Sequence, residues 1–169
     1  MKKLNIPCFI LVGGKSSRFG SPKDDKALIF YKLQYDKCKK VFNKVYFVAK
    51  HKKFKKYPFF IEKSKTYAPI FALEEIIKKH KKVFVLSVDT PLIRPSSLYK
   101  LAKKKAVTSK NPLIGYYDYT MLKNFDFNTL RIFGINKNTL DINKEELINI
   151  NKLEDLNLLP NHSRIVFKV

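Results

Sequence analysis

The sequence predicts an α/β domain with a mostly parallel central sheet and helices packed on both of its faces. Continuous apolar runs such as CFILV (residues 8–12) and VFVLSV (83–88) are typical of strands that are covered on both sides. Between these runs, apolar residues recur at steps of three and four, the period of a helix lying against a sheet. The two patterns alternate over 169 residues without a linker or an internal repeat. We therefore expect a single domain over residues 1–169.

The strands are predicted first, because they carry the strongest apolar signal. They are expected at residues 8–12, 45–49, 59–61, 83–88, 106–108 and 113–117. After Tyr119 the signals weaken until NINKLEDL (149–156), which is interpreted as the end of a strand passing into a capped helix.

Three helices are predicted between the strands. The second is expected to begin near Pro69, since proline suits the first turn of a helix. The third is expected to be capped by Ser96 or Ser97 and to run to about Lys104. The first helix is predicted from a sheet-facing stripe of Leu28, Tyr31, Tyr35, Cys38 and Phe42. The second is predicted from a shorter stripe of Ile70, Leu73 and Ile77.

The chain is strongly basic, with 35 basic and 14 acidic residues and a net charge of +21. Such a charge can indicate nucleic-acid binding. Proteins that read nucleic acids, however, tend to concentrate arginine and aromatic side chains in one patch. Here the basic residues are almost all lysines, and they are spread along the whole chain. We interpret them as a solvated surface and rank a nucleic-acid-binding module below an enzyme.

The two cysteines, Cys8 and Cys38, have the spacing of neither a disulfide framework nor a zinc site. Both are expected to be core thiols, as in a reducing cytoplasm. The apolar run after the N-terminal lysines is short, is interrupted by Asn5 and Pro7, and leads directly into a glycine loop, which argues against a secretory signal. No run approaches the ~18 apolar residues of a membrane span. We expect a cytoplasmic protein without a membrane partner.

The stretch LVGGKSSRFGSPKDDKAL (residues 11–28) follows the first strand and predicts a phosphate-binding loop. A P-loop is excluded, because Phe9 stands where that motif needs its first glycine. A dinucleotide fingerprint is excluded as well, because Lys15 and Arg18 stand where its glycines belong.

The same loop has the composition of a different phosphate cradle. Gly13 and Gly14 would let backbone N–H groups approach an anion closely, since no Cβ stands in the way. Lys15, Arg18 and Lys26 add positive charge in a segment that also opens a helix, and a helix N-terminus favours phosphate.

A carboxylate is expected to face this loop. Asp89, in SVDTP, comes directly after a buried strand and before a proline. Because the carboxyl ends of parallel strands share one edge of a sheet, Asp89 and the glycine loop should lie at the same edge. A carboxylate in that position can bind Mg²⁺ together with substrate phosphates. The sequence therefore predicts a magnesium site at Asp89.

The remaining polar residues exclude several reaction classes. The three histidines have no serine, cysteine or acidic partner at a telling spacing, and the G-x-S-x-G motif is absent. Glu74 and Glu75 are adjacent on a helix and point apart, so they do not form an acid/base pair. A phosphate cradle with Mg²⁺ and no base suits nucleotidyl transfer to an acceptor phosphate, which is already ionised near neutral pH.

At this point the chain resembles a known family. LVGGKSSRFGSPKDDKAL is similar to the L-x-G-G-x-S-x-R-M-G-x(n)-D-K-x-L signature of molybdenum cofactor guanylyltransferases, with Phe19 in place of methionine. VDTPLI, APIFAL and NPLIGYY resemble further segments of that family in the same order. NINKLEDL resembles its N-I-N-T-P-E-D-L ending. The resemblance implies a three-layer, Rossmann-like nucleotidyltransferase fold.

The resemblance also implies an activity, namely transfer of GMP from GTP to the phosphate of molybdopterin with release of pyrophosphate. It implies Mg²⁺ as cofactor, GTP and molybdopterin as partners, and possible contacts with cofactor insertion proteins or molybdoenzymes. Arg18, Lys26 and Asp89 would be the catalytic residues, with Asp89 holding the metal. Asn149 and Asn151 would lie on the pterin side.

The nucleotide site implied by the resemblance lies at the end of the first strand. Leu11, Val12 and Gly13 would bind the nucleotide through backbone groups, while Gly14 shapes the turn. The side chains of Arg18 and Lys26 would contact the phosphates, with Lys15 nearby, and Asp89 would complete the site.

Two departures from the family pattern leave the base specificity open. Val48, Ala49 and Lys50 occupy the region where the family often has an asparagine, and Lys63 stands where it often has an aspartate, with Glu62 beside it. Either Glu62 substitutes, or the nucleotide is held differently, or the enzyme uses CTP. A cytidylyl- or sugar-phosphate nucleotidyltransferase is therefore an alternative. Such an enzyme would share the glycine-loop motif but should lack the N-I-N ending.

Overall fold

The computed structural model of the chain describes residues 2–13 and 26–159. Seven strands and three α-helices lie in these ranges: β1 (Cys8–Leu11), α1 (Lys26–Val41), β2 (Val45–Ala49), β3 (Phe59–Ile61), α2 (Pro69–His80), β4 (Lys82–Ser87), α3 (Pro95–Lys104), β5 (Val107–Thr108), β6 (Ile114–Asp118) and β7 (Thr139–Leu140). The same ranges contain three short 3-10 helices, one between β6 and β7 and two after β7: Tyr119–Asn124, Lys144–Leu147 and Leu153–Leu158. In the described ranges, no helix has the length and apolarity needed to cross a bilayer.

The strands form one sheet in the order β3-β2-β1-β4-β6-β5-β7. Strands β1 to β4 are mutually parallel, and β7 is parallel to β5. Strand β6 is antiparallel to both of its neighbours, β4 and β5, so it is the one described strand that runs against the others. The prediction of a mostly parallel sheet is confirmed.

The central register brings the ends of β1 and β4 together. Leu11 pairs with Ser87 on one side and with Val48 on the other. The backbone continues this alignment beyond the strands, because Val12 N donates to Val48 O over 3.1 Å and Val88 N donates to Leu11 O over 3.3 Å. Gly13 and Asp89 therefore emerge at the same edge of the sheet, as predicted.

Both faces of the sheet are buried, which explains why its strands are continuously apolar. On one face, Cys8, Ile10, Phe84 and Leu86 pack with the apolar residues of α1 and α3. On the other face, alternate strand residues such as Phe9 pack with the buried stripe of α2, which includes Ile70, Leu73 and Ile77 as predicted. The result is a three-layer arrangement, with two helices on one face and one on the other.

The predicted stripe of α1 was partly wrong. Leu28 is 47% exposed, and the buried face of the helix consists of Ala27, Phe30, Gln34, Cys38 and Val41. Gln34 is polar and lies in the middle of this buried face, so a search for regularly spaced apolar residues does not find the face. Tyr31 and Tyr35 lie at the margin of the face, where they pack in an aromatic cluster with Phe54 and Tyr57.

The start of α3 also differs from the prediction. Ser96 and Ser97 lie inside the helix, and the N-cap is Arg94, without a side-chain cap. Instead, the buried carboxylate of Glu146 accepts a hydrogen bond from Arg94 N over 2.9 Å. A distant acidic residue therefore satisfies a backbone donor at this helix start, which no local pattern reveals.

The segment around Asn149 is not a strand, which corrects a further prediction. Residues 149–151 are irregular, and a 3-10 helix follows them. The carboxylate of Asp155 caps the turn by accepting hydrogen bonds from Asn151 N over 2.7 Å and from Lys152 N over 3.0 Å. The predicted capping is thus present, although the helix is 3-10.

Candidate functional site

Two neighbouring cavities lie at the edge of the sheet where β1 and β4 end. The first, of about 130 Å³, is lined by Leu11, Gly13, Val48, Glu62, Tyr67 and the first turn of α2. The second, of about 610 Å³, contains Ser87, Asp89, Asn149 and three basic residues. Pro69, the first residue of α2, lines both cavities. The strand ends thus face two adjoining spaces, one mainly apolar and one in which apolar side chains are joined by several polar and charged ones.

Gly13 borders the first cavity at the end of β1. A Cβ built on this residue would lie 3.8 Å from Val48 O and 3.9 Å from Glu62 Oε1, which are ordinary contact distances. The described fold would therefore accept a side chain here. What the glycine provides is free space and an accessible backbone beside the cavity.

Asp89 lies at the second cavity and is 9% exposed. The hydroxyl of Ser87 donates a hydrogen bond to Asp89 Oδ1. Asn149 has both of its polar atoms paired only when its amide nitrogen faces this carboxylate, with Nδ2 2.8 Å from Oδ1 and 3.2 Å from Oδ2. The carboxylate is thus oriented by Ser87, the last residue of β4, and by Asn149 from the C-terminal region.

The N-I-N segment binds the Asp89 loop through its backbone as well. Ile150 N donates to Asp89 O over 2.8 Å, and the Ile150 side chain is fully buried in the core. Asn151 Nδ2 lies 3.2 Å from the oxygen of the Asn149 amide in the same orientation. Asn149 and Asn151, predicted on the acceptor side, therefore form a chain of contacts that ends on Asp89.

Helix α1 supports the same loop from behind. The buried amide of Gln34 donates to Thr90 O over 2.8 Å, and the Lys37 ammonium donates to Pro91 O. Burial lowers the pKa of Lys37 to about 8, while nearby Cys38 and Glu146 oppose that shift. The loop after β4 is thus held by side chains on two sides, which fixes the position of Asp89.

A cluster of polar contacts is centred on Lys50, next to Glu62 and Tyr67, which line the first cavity. Lys50 Nζ lies 3.5 Å from Glu62 Oε1, 3.2 Å from Thr66 O and 4.6 Å from the centre of the Tyr67 ring, and it also donates to Ser64 O. Burial is the largest cause that raises the pKa of Glu62, and Lys50 acts against it.

Lys63 and its neighbour Glu62 face different spaces. Lys63 is exposed and lines a different groove, and its backbone N–H donates to Glu75 over 3.0 Å. Glu62, in contrast, faces the first cavity. Glu74 and Glu75 point apart, as predicted, because Glu74 pairs with Lys78 instead.

Part of the predicted site lies outside the described residues, namely Gly14, Lys15 and Arg18. Lys26 is the first residue of α1. Of the other predicted site residues, Leu11 and Gly13 line the first cavity and Asp89 and Asn149 the second. Val12, which lies between Leu11 and Gly13 in the sequence, is buried.

Sequence reasoning missed several residues that line the second cavity. They are basic or polar side chains from four separate segments: Ser87, Lys110, Asn111, Arg131 and Lys144. In a chain this rich in lysine, neither Lys110 nor Lys144 differs from a surface lysine by any local signal. Arg131, being one of few arginines, had a compositional signal that could have singled it out.

Comparison with known proteins identifies relatives of this chain. The family model for the MobA-like NTP transferase domain matches residues 8–114. A Campylobacter jejuni protein named molybdenum cofactor guanylyltransferase is 36% identical, over 74% of this chain and 76% of that protein. A Helicobacter pylori protein of the same name is 30% identical, over 91% of both chains.

The solved structures extend the agreement to the fold. The crystal structure of molybdopterin-guanine dinucleotide biosynthesis protein A from Archaeoglobus fulgidus superposes with a TM-score of 0.70. It is 18% identical and covers 90% of this chain and 95% of that chain, so it supports the Rossmann-like nucleotidyltransferase fold alone. The matched domain and the sequence relatives show that the chain belongs to the MobA-like NTP transferase family.

Proposed function

We propose that this protein transfers GMP from GTP to the phosphate of molybdopterin. An oxygen of the acceptor phosphate attacks the α-phosphorus of GTP, a new phosphoanhydride bond forms, and the bond to the β-phosphate breaks, releasing pyrophosphate. No general base is required, because the acceptor is already ionised. The residues of the chain then act by positioning the two substrates and by neutralising charge.

The observation that carries this proposal is the position of Asp89. It lies at the sheet edge that it shares with Gly13, and it borders the larger of two adjoining cavities. A nucleotide at the end of β1 would have its phosphates directed toward Asp89. An acceptor in the second cavity would then meet those phosphates at the carboxylate.

The residues around Asp89 fit a magnesium ion. Within the described ranges no group of three or more histidine, cysteine or acidic residues could hold a metal. Magnesium, however, is commonly bound by one or two carboxylates together with substrate phosphates and water. Asp89 would hold the ion, and Ser87 and Asn149 would orient its carboxylate. When bound, the ion would supply charge neutralisation at the phosphates.

The acceptor side of the proposal rests on the second cavity. Lys110, Arg131 and Lys144 line it and would attract a phosphate. Phe133 also lines it and is 63% exposed, so its ring is available to a flat heterocycle. These are the chemical features of a pterin phosphate.

The nucleotide phosphates are assigned to the glycine loop and to the start of α1. Lys26 opens this 16-residue helix, whose N-terminus favours an anion. We assign Arg18 and Lys26 to the phosphates, with Lys15 nearby, and the backbone of Leu11, Val12 and Gly13 to the nucleoside.

The test is a transfer assay with GTP, molybdopterin and Mg²⁺ that follows the dinucleotide product and pyrophosphate. We expect Asp89→Ala to lower the rate by about 10²-fold or more. Asp36→Ala removes an exposed aspartate of α1 that pairs with Lys32, so it serves as the matched control and should retain the wild-type rate. Transfer by Asp89→Ala at the wild-type rate, or transfer without a divalent cation, would contradict the proposal.

The alternatives are tested with the same protein. Transfer of CMP from CTP, or transfer to a sugar phosphate, would redirect the assignment within the nucleotidyltransferases. A nucleic-acid-binding module would instead bind random oligonucleotides tightly, with affinity that falls steeply as salt increases. Asp89→Ala would leave such binding intact.

We further infer a cytoplasmic location and handover of the product to cofactor insertion proteins or molybdoenzymes. The location is supported by the two cysteines, which are free and buried. Fractionation of cells that produce the protein and co-purification with a molybdoenzyme would test the two statements separately.

A further inference from the structure

We infer that the open edge of β3 binds an extended, acidic segment of a partner protein. The segment would add a strand to the sheet beside Phe59–Ile61 and would lie in a groove between this strand and the C-terminal half of α2. The groove shares no described lining residue with the two cavities assigned to nucleotidyl transfer. The inference therefore does not depend on the proposed function.

Strand β3 is the outermost described strand on its side of the sheet, and β2 is its one described neighbour. On the β2 side, Phe47 N donates to Pro58 O over 3.0 Å. Because the main-chain groups of a strand alternate in direction, the N–H and C=O groups of Phe59 and Ile61 point away from β2. Within the described ranges, these four groups have no hydrogen-bond partner. They form the open edge.

The open edge is short, because the chain on either side of it is not available for pairing. Pro58, which precedes β3, has no N–H. After β3, Lys63 N and Ser64 N donate to the carboxylate of Glu75 over 3.0 Å and 2.9 Å. Helix α2 thus takes up the next donors of the chain. The edge suits a segment of a few residues rather than an extensive sheet.

The groove beside the open edge has a volume of about 810 Å³ and a largely aromatic lining. Tyr46 and Phe60 are half-buried, and the centres of their rings each lie 6.1 Å from that of His80. Ile61 also lines the groove and is 44% exposed. An added strand would place alternate side chains over these apolar groups, while its main chain pairs with the edge.

The charges of the groove indicate which segment fits. Lys63, Lys78 and Lys79 line it, and Lys78 already pairs with Glu74 over 2.6 Å. Glu75 is the one acidic residue in the described lining, and its carboxylate accepts the backbone donors that follow β3. Lys63 and Lys79 therefore present uncompensated positive charge beside apolar surface. Acidic side chains on the added strand would complement this charge.

The same charges argue against a second copy of this chain as the occupant. Pairing of β3 with β3 of another copy would bring together the lysines of both grooves. It would also bring together the run KHKKFKK (residues 50–56) that precedes each strand. Lysines around an edge strand are a common protection against self-pairing. Because the side chains of β3 itself are apolar, the edge stays open to a strand of opposite charge.

The first test measures amide hydrogen exchange by NMR on the whole protein. The probe is an acetylated and amidated pentapeptide of alternating glutamate and valine. Without the peptide, the amides of Phe59 and Ile61 should exchange faster than that of Phe60, whose N–H faces β2. With saturating peptide, exchange at Phe59 and Ile61 should slow by about 10-fold or more. General attraction to a chain of charge +21 would not protect these two amides selectively.

The second test measures the affinity for the same peptide, fluorescently labelled, by anisotropy. Combining Lys63→Glu with Lys79→Glu should weaken binding by about 10-fold or more. The matched control combines Lys100→Glu with Lys104→Glu, which are exposed on α3 at the opposite face of the sheet. It changes the net charge equally and should weaken binding by less than about 3-fold.

Main-chain pairing is tested from both partners. Ile61→Pro removes a donor that points away from β2, so the sheet keeps its own hydrogen bonds. A peptide methylated at each main-chain nitrogen keeps its charge but has lost its donors. Each change should weaken binding by about 10-fold. Thermal unfolding verifies that every variant is folded.

Absence of peptide binding, or unchanged exchange at Phe59 and Ile61, would overturn the inference. Equal loss of affinity in the two double-lysine variants would overturn it as well, because the peptide would then follow net charge alone. Self-association that sedimentation detects and that Ile61→Pro abolishes would instead assign the edge to a second copy. The transfer assay is separate, so none of these outcomes bears on nucleotidyl transfer.

Discussion

The amide nitrogen of Asn149 lies 2.8 Å from Asp89 Oδ1, and the backbone N–H of the next residue, Ile150, donates to Asp89 O over 2.8 Å. The C-terminal region is thus attached to the Asp89 loop twice, once at the carboxylate and once at the main chain. Because Ile150 anchors the segment in the core, truncating the Asn149 side chain should remove the first attachment and leave the second.

Asn149→Ala is expected to lower the rate of nucleotidyl transfer by about 10- to 100-fold, the usual effect of removing a group that orients a metal ligand. The physical reason is that the Asp89 carboxylate loses one of the groups that orient it, while its contact with Ser87 remains. The measurement is the rate as a function of Mg²⁺ concentration. We expect the half-saturating concentration to increase, which a loss of folded protein would not cause.

Asn151→Ala is the control for this prediction, because the amide nitrogen of Asn151 contacts the Asn149 side chain. Its effect should be smaller and in the same direction. A normal magnesium dependence in folded Asn149→Ala would contradict the orienting role.

Gly13→Ala should weaken nucleotide binding without weakening the fold. The added methyl group would lie at ordinary contact distances from Val48 O and Glu62 Oε1, so nothing in the described fold has to move. A Gly→Ala change at a compatible position raises the free energy of unfolding by about 0.4–1 kcal/mol. The same methyl group occupies space beside the first cavity, and we expect the affinity for GTP to fall about 10-fold. Urea unfolding and GTP titration measure the two effects; unchanged affinity would mean that the nucleotide does not approach Gly13.

Much of the fold follows from the sequence because strand burial is encoded locally. Runs that are apolar at every position identified the strands on either side of Leu11, and proline marked the start of α2 at Pro69. The shared edge of Gly13 and Asp89 then followed from the rule for parallel strands. The direction of β6 did not follow, because an apolar run is the same read in either direction.

The candidate site was less predictable, because several of its contacts are tertiary. Gln34 lies on the buried face of α1, where its amide donates to the Thr90 carbonyl. Because the sequence pattern considered apolar residues alone, it placed the buried face of this helix incorrectly. Lys110 and Lys144 become site residues only through the cavity they line. Asn149 was assigned to the site by resemblance, and its contact with the Asp89 carboxylate is visible only in the folded structure.

Gly115→Ala should destabilise the protein far from the nucleotide cavity. Gly115 pairs with Val107 across β5 and β6, and a Cβ there would lie 2.4 Å from Val107 Cα and 2.6 Å from Ala106 O. Both atoms belong to the backbone, so the strands must separate. We expect a loss of about 3 kcal/mol in the free energy of unfolding, the upper part of the range for overpacking.

Gly134→Ala provides the comparison for Gly115→Ala. Gly134 has a φ of +88°, and no heavy atom lies within 4 Å of the built Cβ. Only backbone strain then opposes the substitution, which costs about 1–2 kcal/mol. Urea unfolding of both variants should rank Gly115→Ala as the less stable one, and the reverse order would contradict the packing of β5 against β6.

His80 should make the fold less stable in acid. Its ring lies 4.9 Å from that of Phe9 and 6.1 Å from those of Tyr46 and Phe60. Burial, followed by the charges of Lys79 and Lys44, lowers the pKa of His80 below its usual value of 6.5. The unfolded chain therefore binds a proton at a higher pH than the folded chain does. By linkage, the stability contributed by neutral His80 is present above pH 6.5 and is lost as the pH falls through the folded-state pKa.

His80→Phe keeps a ring in this cluster and removes the titrating group. We expect the free energy of unfolding of the wild type, measured relative to His80→Phe by urea unfolding, to decrease between pH 7.5 and pH 5, a range that brackets the ordinary histidine pKa of about 6.5. His51→Asn removes an exposed histidine that lies outside this cluster and serves as the control for the loss of a histidine. Carboxylates that titrate in the same range are common to all three proteins, so they cancel in the difference. Parallel profiles for the wild type and His80→Phe would show that His80 is protonated as readily in the folded chain as in the unfolded one.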